Sequence, residues 1–124
     1  MDNLDIALGE FAQTLLHAST NTHILHWKII DKSEPAHRAL GTFYTELPDL
    51  VDAVVETVMG KYQTDLNVQP NYYPPLDDPR EELKMLSDYV MEARNTLPPD
   101  SELQNLIDEI QDLINKTRYL LRAP

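Results

Sequence analysis

The chain has 124 residues, enough for one domain with a single hydrophobic core. It contains no cysteine, which excludes disulfides and thiolate metal sites and leaves nitrogen and oxygen as ligands for any metal. A formal net charge of −11, with ten scattered basic residues and none before Lys28, argues against nucleic-acid binding, which needs a concentrated cationic face. No apolar run approaches the roughly 20 residues that span a bilayer, and the acidic N-terminus has no signal-peptide pattern. The expectation is a soluble, cytoplasmic protein with no membrane partner.

Residues 3–30 read as one long helix. Leu4, Leu8, Phe11, Leu15, Ala18, Thr22, Leu25 and Ile29 recur at spacings of four and three, the pattern of a buried helical stripe. Asp2 or Asn3 is the expected cap. Asp31 and Lys32 form a turn, and Ser33 is placed to cap a second helix with Pro35 in its first turn. That helix is expected over about 34–64. Its main stripe is Leu40, Phe43, Leu47, Leu50, Val54 and Val58. Tyr44, Val51, Val55 and Met59 widen the stripe beyond one partner's footprint, which predicts burial within the subunit and against another. Pro48 lies mid-helix, where it removes a backbone bond and is expected to bend the axis.

Residues 65–77 form a proline-rich connector, expected to be extended and held to the bundle by Tyr72 and Tyr73. Asp78-Pro79 opens a third helix, about 79–97, with the stripe Leu83, Leu86, Val90, Ala93 and Leu97, stopped by Pro98-Pro99. Ser101-x-x-Gln104 resembles a capping box for a last helix, about 101–122, with the seam Leu103, Leu106, Ile110, Leu113, Thr117 and Leu120. Arg118 and Arg122 lie near its negative end. The expected fold is all-α, a single up-down-up-down four-helix bundle.

Three of the four histidines lie between positions 23 and 37, followed by Asp52 and Glu56 four residues apart on one helix face. His37 and Asp52 are fifteen residues apart on one helix, so about 22 Å separates them. Folding the first helix back on the second sets His26 beside His37 or Arg38 and leaves both acids far away. Two copies packed antiparallel through their second helices would bring each His26/His37 pair to the other copy's Asp52 and Glu56, twice per dimer. Two imidazoles and two carboxylates suit Fe(II), Zn(II) or Mn(II).

His23-x-x-His26-Trp27, His37, Phe43-Tyr44 with Glu46, and Asp52-x-x-x-Glu56 together resemble the ferroxidase pattern of Dps proteins, the DNA-binding ferritins of starved bacteria. The resemblance covers about residues 8–62. It implies a ferritin-like fold, metal-ligand roles for His26, His37, Asp52 and Glu56, iron (or zinc or manganese) bound singly or as a di-iron pair, and Fe(II) oxidation by peroxide or oxygen. It places His23 and Trp27 beside the ligands and a twofold homo-oligomer around them. Two features depart from the family: Gly41 stands where it carries an aspartate, and no lysine-rich tail follows the last helix. In size the chain more closely resembles short ferritin-like proteins of tailed phages.

Blander readings stand beside this one. His17 is expected to be structural, Tyr44 an interface aromatic, and an acidic pair alone is usually a solvated face. Glu34-x-x-His37 matches half of a ferritin di-iron motif, but the last two helices hold no histidine, so a site within one subunit is not expected. The alternative function is a metal-free helical interaction protein that keeps the fold without the chemistry.

Overall fold

The computed structural model describes residues 2–124, apart from the side chain of Asp2, so the expected Asp2 cap lies outside the described residues. Four α-helices account for most of them: α1 Asp2–Lys28, α2 Glu34–Tyr62, α3 Pro79–Ala93 and α4 Ser101–Leu120. A short 3-10 turn, Arg94–Thr96, ends α3. Asn3 is already inside α1 and does not cap it. Ser33 caps α2 as expected, its hydroxyl accepting the Ala36 N–H at 3.2 Å, and Asp78 caps α3 through the Arg80 N–H at 2.9 Å.

The helix periodicities translate into one continuous core. Phe11 and Phe43 are fully buried at its centre, among Leu8, Leu15, Leu40 and Leu47. The seam of α4 differs from expectation at its end. Leu120 is exposed, while Leu121 folds in just beyond the last helical residue, and Ile107 and Ile114 carry the seam between. The capping box also fails. Ser101 is the first helical residue rather than the cap. The Gln104 side chain instead donates to the Arg94 and Pro98 carbonyls, and Asp100 is drawn to Tyr62 and Lys61 on α2.

The bundle has four helices, but their directions run up-down-down-up, not up-down-up-down. The α1 helix packs on α2 and α3, and α4 packs on the same two, so α2 and α3 lie across a diagonal. The connector 63–78 causes this. It begins at the foot of α1, where the Asn67 N–H donates to the Asp5 carbonyl and Thr64 bonds the Asp5 carboxylate. It then climbs α1: Gln13 donates to the Gln69 and Asn71 carbonyls, and Asn21 to the Tyr73 carbonyl at 3.0 Å. A chain of that length reaches about 50 Å when extended, against about 40 Å for the whole of α1, so it can return to the top before α3 begins. Tyr89 of α3 accordingly lies beside Phe11 and Glu10 of α1, and Arg80 beside the end of α4. A hairpin would have needed only two to eight residues.

The width of the α2 stripe has an explanation inside the chain. With α1 on one side and α4 on the other, Val51 is fully buried, and Val55 and Met59 are half-buried against the same core. The extra apolar residues therefore do not require a second subunit. Pro48 leaves α2 unbroken from 34 to 62. Its missing N–H would orphan the Tyr44 carbonyl, and the Ser19 hydroxyl of α1 donates to that oxygen at 2.9 Å.

Candidate metal centre

The antiparallel α1–α2 hairpin sets His26 against His37 near its closed end. The two rings stack with centroids 3.7 Å apart and planes 14° from parallel. Each ring reaches across to the other residue's backbone: His26 Nδ1 lies 2.5 Å from the His37 carbonyl, and His37 Nδ1 lies 2.7 Å from the His26 carbonyl. A carbonyl oxygen only accepts, so each Nδ1 must carry its proton. In the neutral rings both Nε2 atoms are then left with free lone pairs, the tautomer that metal-binding imidazoles use.

An open cavity of about 450 Å³ lies over this pair, lined by His26, His37, Arg38, Gly41, Thr45 and Glu46 among others. Arg38 does not fill it, because its guanidinium is turned back onto Glu34, with Nη2 2.5 Å from the carboxylate. Gly41 explains the room for the His26 ring. A Cβ at that position would sit 3.0 Å from His26 Cε1 and 3.2 Å from Nδ1. An aspartate there would have to displace the ring in order to offer its oxygen. The glycine that stands where the Dps pattern has an aspartate is thus coupled to the position of His26.

His23 does not join the pair. It stacks on Tyr44 at 3.9 Å and 8°, and lies 4.3 Å from the Trp27 ring, which is 60% exposed. These three rings form a flank beside the imidazole pair. His17 is elsewhere, in edge contact with Tyr72 on the connector.

Asp52 and Glu56 are exposed and not brought to the histidines. Among the described residues no three histidine, aspartate or glutamate side chains converge closely enough to hold an ion. Helical periodicity nevertheless runs His37, Gly41, Thr45, Asp52 and Glu56 along one outward stripe of α2. Glu46, at the cavity rim, is a carboxylate outside the His26, His37, Asp52 and Glu56 set. Its five-residue offset from Gly41 is not a same-face helical spacing, so the sequence pattern does not mark it.

The residues present fit a divalent metal in tautomer and ligand type, with one geometric qualification. Imidazole lone pairs lie in the ring planes, and planes this nearly parallel do not meet at one ion. The pair offers two adjacent one-nitrogen positions, suited to two ions, unless the rings fan apart.

A family model described as a family of unknown function, DUF5856, matches residues 32–121. The chain belongs to this family. The DUF5856 match covers α2, α3 and α4, with His37, Asp52 and Glu56 inside it and His26 outside. A relative from Enterobacteria phage T4, an uncharacterized 14.6 kDa protein of the mobD-ri intergenic region, is 28% identical over 120 residues, spanning 90% of this chain and 85% of its own. No solved structure matches the chain.

Proposed function

We propose that the chain is a Dps-like, ferritin-like protein that binds iron or a similar divalent metal between twofold-related copies. In this reading one copy supplies His26 and His37, and the other supplies Asp52 and Glu56. The observation that carries it is the reciprocal pair of Nδ1–carbonyl hydrogen bonds, which prepares two Nε2 atoms as ligands at the rim of an open cavity. Three further features support it. The long connector gives the single-crossover connectivity of ferritin-like bundles. Asp52 and Glu56 share an outward stripe with His37. The similarity to a phage T4 protein agrees with the size resemblance to phage ferritin-like proteins. Among the described residues no helix is long and apolar enough to cross a membrane, and a cytoplasmic location belongs to this same proposal.

Bound iron would supply one-electron chemistry for Fe(II) oxidation. The chain's own residues would hold the ions, with Asp52 and Glu56 offsetting their charge, and the His23, Tyr44 and Trp27 rings would shield one side from water. The test is metal titration of the full chain followed by thermal unfolding. Fe(II), Zn(II) or Mn(II) is expected to raise the melting temperature, and His37→Ala and Glu56→Ala are each expected to abolish the shift. Mixing the two variants is decisive. Only a mixed dimer has one intact histidine pair facing one intact acid pair, so binding should return to about a quarter of the wild-type level if copies exchange freely. An unchanged melting temperature with all three metals favours the metal-free interaction protein.

A further inference from the structure

Four of the ten basic residues of this acidic chain surround one groove. It has a volume of about 830 Å³ and lies between α3 and α4 near the C-terminal end of α4, on a face formed by neither His26 nor His37. Arg80 and Lys84 stand one turn apart on α3, while Arg118 lies in the last turn of α4 and Arg122 in the turn just beyond its end. Because the two helices are antiparallel, the pairs face each other across the groove. Met85 and Tyr119 line it between them, with Tyr119 69% exposed.

The four cations are not equivalent. The Arg80 Nε donates to the Leu121 carbonyl at 2.8 Å and so caps the end of α4, and Lys84 is paired with Asp88 at 2.9 Å. Arg118 and Arg122 make no ion pair among the described residues. With Glu81 and Asp88 as the only acids on the lining, the four cations leave it a net charge of +2, in a chain whose total is −11.

We propose that this groove docks an acidic amphipathic helix of a partner protein. Two carboxylates four residues apart on such a helix rise about 6 Å, so one can meet Arg118 in the last turn of α4 and the other Arg122 in the turn that follows. The partner's neighbouring apolar stripe would cover Met85 and Tyr119. Charges beyond a Debye length of about 8 Å are largely screened, so a short acidic segment feels mainly the four cations, the two lining acids and Asp78, which accepts the Arg80 N–H at 2.9 Å. A nucleic acid would extend its phosphates along the repulsive acidic surface beyond, so the charge distribution favours the peptide.

The test uses metal-free full-length protein and is therefore independent of the proposed metal site. A labelled helical peptide of about five turns, with Glu pairs four apart beside a Leu stripe, is titrated by fluorescence anisotropy and by amide NMR. The expected result is a Kd below about 100 µM with shifts confined to residues 80–88 and 115–122. Arg118→Glu with Arg122→Glu is expected to weaken binding at least about tenfold while leaving the melting temperature unchanged, as is Glu→Gln in the peptide. Three results would overturn the proposal: no binding up to about 1 mM, binding indifferent to either charge change, or an oligonucleotide of equal length binding as tightly at the same groove.

Discussion

Glu82 is a fully buried carboxyl group with only half of its hydrogen bonding met. Its Oε1 accepts the Leu76 N–H at 2.8 Å, while Oε2, like the nearby Tyr73 hydroxyl, has no donor among the described residues. Burial raises its pKa above the ordinary 4.5, opposed by the Leu76 hydrogen bond. The folded chain therefore keeps this proton to higher pH than the unfolded one. The stabilisation from Glu82 is complete below about pH 4.5 and is lost as pH rises through the raised folded value. Glu82→Gln is expected to remove this slope and raise stability at pH 8 by about 1–2 kcal/mol, measured by urea unfolding at pH 4.5 and 8. A variant less stable than wild type at pH 8 would refute the assignment. Gly41 makes a second case at this scale. Gly41→Ala is expected to disturb the His26–His37 stack, visible in imidazole NMR, and to weaken metal binding about tenfold without unfolding the chain. From the Dps resemblance alone Gly41 is a missing ligand, because one dimension does not reveal that a ring from α1 occupies the space above it. The pairing of His26 with His37 was legible, since an antiparallel hairpin with a short turn fixes which residues face each other.

At the level of elements, hydrophobic period and turn chemistry located every helix, because each stripe has one dominant burial direction. They did not determine the order of directions. That order depends on whether the 63–78 connector turns back at once or travels the length of α1, and no residue in it encodes the distance. The decisive contacts are made by α1 itself, through Asp5, Gln13 and Asn21, and by Gly9, where any Cβ would overlap the Asn67 carbonyl. Gly9→Ala is expected to cost about 1–3 kcal/mol in chemical denaturation, because the connector must lift off α1. The expected capping box fails for a related reason: Asp100 is held by Lys61 and Tyr62, partners distant in sequence. The Ser19–Tyr44 bond offers a cleaner test of an inter-helix contact. Ser19→Ala should cost about 1–2 kcal/mol in the Pro48 chain and much less beside Pro48→Ala, where residue 48 regains an N–H for the Tyr44 carbonyl.

For the whole molecule the question is which face a second copy would cover. The apolar residues of α2 are absorbed by α1 and α4, so a mate must rest on what the α1–α2 face leaves exposed. On α1, Leu16, Thr20, His23 and Trp27 form one stripe, and His23 borders α2 through Tyr44. Leu16 is 46% exposed and Trp27 60%, which makes them the apolar part of that face. Its polar part is the His37-to-Glu56 stripe. An antiparallel pairing of two α2 helices that sets His37 opposite the turn between Asp52 and Glu56 has its twofold axis midway, beside Thr45 and Glu46. A residue on a twofold axis meets its own copy. The chain has no cysteine, so a single introduced thiol can report this position without interference. Thr45→Cys is expected to form a covalent dimer with a short bismaleimide, while Glu109→Cys on the outer face of α4 stays monomeric under the same conditions. The pairing also predicts that Leu16→Glu abolishes both the Thr45→Cys cross-link and the metal-induced rise in melting temperature, because site and interface would be one structure. Metal binding by a strictly monomeric chain would place the site within one copy and remove the reason for the twofold arrangement, while cross-linking that survives Leu16→Glu would take Leu16 out of the interface.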